Sequence, residues 1–199
     1  MKVLIMPVGS YEANCYIIKD ETSKEIAVID PGANSGLLIN EIEKLNGNVK
    51  YILLTHAHAD HTGAVEDLVE RFKAPVYINQ KDEALIVKGE YMFEKITVDG
   101  FIKDGDFFNI GDIKIKCIET PGHTPGGVCF YTPGYLFSGD TLFAQSIGRT
   151  DFAGGDFDEI IDSIKTKLFS LPEETRVFPG HGPETSIKNE KKYNPFCKN

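Results

Sequence analysis

Short apolar runs alternate with segments of helical period along the chain. Val3–Val8, Cys15–Ile18 and Ile26–Ile29 are apolar or alternating and stop at Asp30-Pro31-Gly32, which predicts an opening series of strands. Leu38, Ile42 and Leu45 recur at helical spacing, and Gly47 is expected to end that helix. Tyr51–Leu54 returns to a strand. Val65, Leu68, Val69 and Phe72 follow at i, i+3, i+4 and i+7, the stripe of a helix packed on a sheet, before a short strand at Val76–Ile78. The second half repeats this alternation. Ile113, Ile115, Cys117 and Ile118 predict a strand, and Val128–Tyr131 with Tyr135–Phe137 a hairpin around Thr132-Pro133-Gly134. Phe157, Ile160, Ile161, Ile164 and Leu168 mark a helix, and Arg176–Phe178 a last strand. Two strand-rich halves, each with helices, imply two sheets packed face to face with helices outside. The stretch Glu83–Asp106 is the least readable. Its Tyr91-Met92-Phe93 fits either a substrate-covering loop or packing against the core.

At 199 residues the chain fits one domain, since domains run to about 100–200 residues. It is long enough to bury a core without disulfides. Thirty acidic against 21 basic residues give a net charge of −9. That balance disfavours nucleic acid and anionic membrane as partners, because both attract Lys/Arg surfaces. Pro7 interrupts the N-terminal apolar run, so no signal-peptide core fits there, and no stretch approaches the roughly 18 apolar residues of a membrane span. Cys15, Cys117, Cys129 and Cys197 are scattered and form no CxxC, so reduced thiols in a cytoplasmic protein are expected. Cys117 and Cys129 lie in apolar stretches and read as small buried hydrophobes.

The five histidines change the picture most. His56, His58 and His61 lie within Thr55-His-Ala-His-Ala-Asp-His61, directly after the Tyr51–Leu54 strand. His123 lies in Thr120-Pro-Gly-His-Thr-Pro-Gly126 and His181 in Phe178-Pro-Gly-His-Gly-Pro183, each just past a predicted strand. Asp140, in Phe137-Ser-Gly-Asp-Thr141, is placed the same way. In α/β sheets the carboxyl edge of the strands is where ligands bind. On extended backbone, side chains at i and i+2 face one side, so His56 and His58 can hold one ion, while Asp60 and His61 open the next helix and turn toward a neighbouring point. Imidazole suits zinc, iron and similar ions, and a carboxylate can bridge two of them. The ligand-capable residues besides that bridge exceed what one tetrahedral ion uses.

This set, H-x-H-x-D-H followed by separate His, Asp and His motifs, resembles the metallo-β-lactamase-fold superfamily over nearly the whole chain. The resemblance implies an α/β fold, an αβ/βα sandwich of two mixed sheets with helices on the outer faces and the metals at one sheet edge. It implies that His56, His58, His123 and a bridging Asp140 hold one divalent ion, and that Asp60, His61, Asp140 and His181 hold a second. Zinc is the leading expectation, with iron or manganese as alternatives. Asp30 is expected to support the ligands by hydrogen bonding, as outer carboxylates do for ligating histidines.

Two close metals can lower the pKa of a shared water to give hydroxide at neutral pH, which points to a hydrolase in which Asp60 orients or deprotonates that water. Within the superfamily, Gly139-Asp-Thr-Leu-Phe143 and Gly148-Arg-Thr-Asp-Phe152, with the His123 segment, resemble the glyoxalase II group, which implies hydrolysis of S-2-hydroxyacyl thiol esters. Arg149 is a candidate for a substrate carboxylate or, equally, for a structural pair with Asp151 or another acid. Long-form glyoxalase II has a C-terminal helical domain with glutathione contacts, whereas this chain ends 18 residues after His181. It therefore resembles the short bacterial form, with Lys188, Lys191, Lys192 and Tyr193 as either substitute contacts or a solvated charge run. The main alternative is a persulfide dioxygenase, which implies one Fe(II) on His56, His123 and Asp140. A flavodiiron-type module is disfavoured, because His58 stands where that family has Glu. The expected partner is a small thioester, with neither nucleic acid nor membrane involved.

Overall fold

The computed structural model describes residues 1–198. Strands β1 (Lys2–Val8), β2 (Ala13–Lys19), β3 (Glu25–Ile29), β4 (Asn48–Leu53), β5 (Val76–Asn79) and β6 (Gly100–Ile102) lie side by side in one sheet. The second sheet holds β7 (Phe107–Ile110), β8 (Ile113–Glu119), β9 (Val128–Thr132) and β10 (Tyr135–Gly139) in spatial sequence. After a small hairpin of β11 (Leu142–Phe143) and β12 (Ser146–Ile147), β13 (Arg176–Pro179) and β14 (Thr185–Ser186) complete that sheet beside β10. The helices are α1 (Ser35–Lys44), α2 (Ala59–Thr62), α3 (Val65–Phe72), α4 (Gln80–Lys88), α5 (Phe157–Asp162) and α6 (Ile187–Tyr193).

Period-2 alternation sorts the strand side chains into layers. On β2, Cys15 and Ile17 face one core while Tyr16 and Ile18 face another, and on β3 Ile26 and Val28 are divided from Ala27 and Ile29 in the same way. The outer layer of the first sheet buries Leu38 and Ile42 of α1 and Val65 and Leu68 of α3. The outer layer of the second sheet buries Cys129, Leu136 and Val177 against Ile160, Ile164 and Leu168. Among the described residues, the apolar core between the sheets is built from strand residues, including Tyr16, Leu53, Phe130, Phe137 and Phe178. Each such fully buried side chain contributes roughly 1.5–3 kcal/mol. Strands buried on both faces explain why so many read as continuous apolar runs.

The directions of the strands set the site. β3, β4, β5 and β6 run parallel, so the segments after β3 and β4 emerge at the same edge. In the second sheet β8 and β10 are each antiparallel to β9, and β13 is parallel to β10. Their carboxyl ends therefore share an edge too. The two edges are tied together: the Val128 amide donates to Thr55 O at 2.8 Å and the Asn14 amide to Gly180 O at 2.7 Å. The Tyr16 hydroxyl donates to Pro179 O at 2.6 Å.

Three local expectations are corrected. The first helix ends at Lys44 with Leu45 as its cap, and Asn46 rather than Gly47 takes the left-handed turn (φ 48°), a conformation Asn tolerates through its short polar side chain. Tyr51–Leu54 lies in a longer strand, Asn48–Leu53, with Leu54 just past its end, where its amide still donates to Tyr77 O at 3.0 Å. The stripe from Phe157 to Leu168 is three pieces: α5 gives way to a π turn at Ser163–Lys167 and a 3₁₀ turn at Leu168–Ser170. Ile160, Ile164 and Leu168 stay on one buried face throughout. Within the unreadable stretch lie α4 and β6, too short or too weakly periodic to announce themselves.

Candidate metal centre

Every ligand candidate named from sequence reaches one cluster, most of them from turns just past a strand end, with Asp60 and His61 on α2, which opens directly after His58. Asp30 follows β3, His56 follows β4, His123 follows β8, Asp140 follows β10 and His181 follows β13. His56, His58 and His123 form one group and Asp60, His61 and His181 another, each with ligand atoms within 4.8 Å of one another. Asp140 touches both. Its Oδ2 lies 3.6 Å from His123 Nε2 and 3.6 Å from His181 Nε2, and its Oδ1 lies 3.4 Å from His61 Nε2. His61 Nε2 and His181 Nε2 are 3.3 Å apart, and His58 Nδ1 is 3.0 Å from His123 Nε2. Gly180 makes the closeness possible, since a Cβ there would sit 2.0 Å from Asp140 Oδ1 and 2.8 Å from His61 Cε1.

Most rings are oriented from behind, which leaves the other nitrogen facing the cluster. His61 Nδ1 donates to Asp30 Oδ2 at 3.0 Å, His123 Nδ1 to the Arg149 carbonyl at 2.7 Å and His181 Nδ1 to the Tyr11 carbonyl at 3.1 Å. His56 Nδ1 meets Thr55 Oγ1 at 3.0 Å, and that hydroxyl donates to Asp30 Oδ2 at 2.6 Å. Asp30 also accepts from the Thr55 amide at 2.8 Å and adopts a left-handed backbone (φ 51°). A third close group, Asp30 with His56 and His61, is accounted for by these hydrogen bonds. The carbonyls of Tyr11 and Arg149 carry no side-chain signal, so sequence reasoning missed them.

A divalent cation fits this donor set. Buried polar atoms without a partner are costly. Among the described residues such side-chain atoms are His56 Nε2, His58 Nε2, Asp140 Oδ1 and Thr175 Oγ1, three of them on ligand candidates. Imidazole and carboxylate donors together suit zinc, iron and manganese. Burial and the neighbouring imidazoles push His56 well down, and burial with His123 brings His58 down to about 4. Burial also lowers His123. Burial opposes ionisation of Asp140, yet His61, His123 and His181 hold its carboxyl below the usual range. Asp60 is held down likewise, by its His181 hydrogen bond at 3.3 Å against the effect of burial.

The cluster floors a cavity of about 520 Å³ whose walls include Tyr11, Tyr91, Met92, Phe143, Ile147 and Phe152. Arg149 also lines it, but its Nε and Nη2 each lie 2.7 Å from an oxygen of Asp151 and its guanidinium stacks 3.9 Å above Phe152. The Tyr91-Met92-Phe93 segment divides its roles. Tyr91 and Met92 line the cavity, whereas Phe93 is buried against the His58 ring at 4.8 Å. The Met92 carbonyl accepts from the Ala59 amide at 2.8 Å, which fastens this loop to the ligand heptapeptide. Lys188 and Lys191 pair with Glu174 and Glu173, Lys192 lies over the Tyr193 ring, and none of the four lines the cavity.

An αβ/βα sandwich carrying at one sheet edge a His/Asp cluster able to hold metal ions defines a class of metallo-hydrolases. The metallo-beta-lactamase superfamily profile matches residues 8–181, and the chain belongs to that superfamily. It is 38% identical to hydroxyacylglutathione hydrolase GloC of Haemophilus influenzae, with 98% of each chain covered. Among solved structures it is similar to the BLEG-1 B3 metallo-beta-lactamase (TM-score 0.89, 36% identity, 100% of both chains). It is also similar to TTHA1623 in a di-iron-bound form (TM-score 0.86, 36% identity, 98% of this chain and 100% of that one). ETHE1 from Myxococcus xanthus matches with a TM-score of 0.87 and 29% identity over 98% of this chain and 84% of that one. Four free, buried cysteines accompany this fold, and no helix among the described residues is long and apolar enough to cross a membrane.

Proposed function

We propose that this metallo-hydrolase is a thiolester hydrolase of the glyoxalase II type, cleaving S-2-hydroxyacyl thiol esters. The observation that carries the reading is Asp140, placed between two complete ligand groups, His56/His58/His123 and Asp60/His61/His181. Similarity to the GloC hydrolase over 98% of the chain supports the substrate class. These groups would hold two divalent ions, zinc foremost with iron or manganese as alternatives, which would supply an activated water at neutral pH and polarise the acyl carbonyl. The chain's own residues do the rest. Asp60, an ionised acceptor at the cavity floor, orients the attacking water and takes its proton. The aromatic and apolar walls exclude bulk water and bind the thioester arms, and Arg149 offers the cavity its cationic contact. A thiolate leaves readily, so no strong general acid is required. A small-molecule substrate, without nucleic acid or membrane, fits this cavity and the −9 charge, and a cytoplasmic setting fits four free cysteines.

A single Fe(II) on His56, His123 and Asp140, as in a persulfide dioxygenase, would leave Asp60, His61 and His181 converging on nothing. Elemental analysis of protein purified without oxygen or chelator tests this. About two ions per chain with turnover of S-lactoylglutathione supports the hydrolase. One iron per chain, with oxygen uptake on a persulfide and no thioester turnover, replaces it with the dioxygenase.

A further inference from the structure

Behind the ligand loops lies a buried carboxylate that the proposed chemistry does not use. Asp82, in the first turn of α4, is 0% exposed. Its Oδ2 accepts from the Ala57 amide at 3.0 Å and from the Thr124 hydroxyl at 2.9 Å, and its Oδ1 accepts from the Gly126 amide at 2.7 Å. Ala57 lies between His56 and His58, and Thr124 follows His123. The three imidazoles of the first group therefore hang from two loops that meet on one carboxylate.

The number of donors explains the residue type. An ionised carboxyl group is acceptor-only, with two oxygens. Asparagine in its place would offer one oxygen and turn an NH₂ toward the remaining donor. All three partners are uncharged, so the carboxylate is buried without a counter-ion in contact, an arrangement that costs free energy. An apolar side chain would fill the space without that cost but leave the Ala57 and Gly126 amides unsatisfied. The packing is equally specific: a Cβ on Gly126 would lie 2.6 Å from Asp82 Oδ1 and 2.7 Å from the Asp82 amide nitrogen. The His123 loop is pressed onto α4 as closely as bare backbone allows.

We propose that Asp82 is a positioning residue that holds the His56–His58 loop and the His123 loop at the separation an ion needs, before the ion arrives. The inference rests on the metal-centre reading above. Ligands fixed in advance lose less freedom on binding, so affinity rises without a new contact to the ion.

The test is titration of the metal-stripped full-length chain with Co²⁺ against a chromophoric chelator, alongside thermal melts. Asp82→Asn should weaken one of two Co²⁺ ions about tenfold or more, change that ion's visible absorption and leave the other unchanged. Asn79→Ala is the control on the same helix. It removes the cap to the Lys81 amide and the bonds to Ile102 O and Glu119, so it lowers Tm without touching either ligand loop. It should keep both Co²⁺ affinities. Thr124→Val deletes one of the three donors, should shift the same ion in the same direction by a smaller factor, and decides the matter if Asp82→Asn does not fold. Native Co²⁺ affinities in Asp82→Asn or, failing that variant, in Thr124→Val would overturn the proposal. So would an Asn79→Ala chain weakened as much as Asp82→Asn. A native chain that takes up no Co²⁺ would overturn the metal centre itself, and the inference with it.

Discussion

The two ligand groups share Asp140 yet occupy different surroundings. His56, His58 and His123 are buried and entirely imidazole, whereas Asp60, His61 and His181 include a carboxylate and combine the fully buried His61 with two partly exposed residues. Each group sends two members to the cavity, His58 and His123 from the first and Asp60 and His181 from the second. In the first group burial dominates, and all three rings are pushed toward the neutral form. In the second, burial is outweighed: Asp140 and Asp30 raise His61, and His181 is raised by its own hydrogen bond to Asp60 and by the nearby charge of Asp140. Without an ion, the surroundings of the first group favour neutral imidazoles, and those of the second favour the protonated form, with which an ion must compete. The same few residue types thus make one group of lowered imidazoles and one of raised imidazoles, according to whether a carboxylate stands against the ring strongly enough to outweigh burial.

Substitution of the shared ligand should break this contrast most completely. Asp140→Ala is expected to lose both ions and abolish hydrolysis, while His58→Ala, also inactive, should lose only the first ion. Elemental analysis separates the two, and full metal content and rate in either variant would dissolve the two-group description. A smaller effect, larger on the second group than on the first, is expected from Asp30→Asn, because Asp30 contacts His61 directly and His56 only through Thr55. Asparagine tolerates the left-handed backbone at this position but replaces one of the two carboxylate oxygens that Thr55 and His61 use. Chelator competition should show the second ion weakened about 10–100-fold. Equal weakening of both ions would mean that Asp30 supports the site as a whole.

Arg149→Ala sharpens the substrate side of the comparison. Its side chain is exposed and paired with Asp151, while its carbonyl, which orients His123, survives the substitution. KM is expected to rise more than kcat falls, with metal content unchanged. An unaltered KM would reduce the side chain to its pair with Asp151.

The smallest expected effect is on pH dependence. Burial raises the Asp82 carboxyl from 3.8 to about 6 in the fold, so the folded chain binds that proton more tightly than the unfolded chain. The resulting stabilisation is fully present below the unfolded value and lost as pH rises through about 6. Compared with Asp82→Asn, the metal-free native chain should therefore lose Tm between about pH 4 and about pH 7. Parallel Tm profiles for the two chains would contradict the burial-raised carboxyl.

Much of the fold was legible because its signals are local. Tyr16 and Ile18 alternate with Cys15 and Ile17 in the chain itself, and Leu38, Ile42, Val65 and Leu68 carry their helical spacing with them. The Glu83–Asp106 stretch was not, since Phe93 owes its burial to the His58 ring rather than to any neighbour in sequence. Asp82 was overlooked for a related reason. An acid beside another acid, Glu83, in the first turn of a helix looks like an ordinary surface residue, and nothing nearby in sequence reveals three donors arriving from two other loops.

By itself the sequence determined the order of elements, the donor types and their place at strand ends, all of which depend on short-range periodicity and residue chemistry. Only the tertiary structure decided which donors share an ion site, how the rings of His123 and His181 are turned, and what holds the loops apart. The Arg149 and Tyr11 carbonyls that turn those rings are groups every residue possesses, and Tyr11 reaches His181 across 170 positions. Such a contact depends on how two sheets pack face to face, which no local spacing encodes.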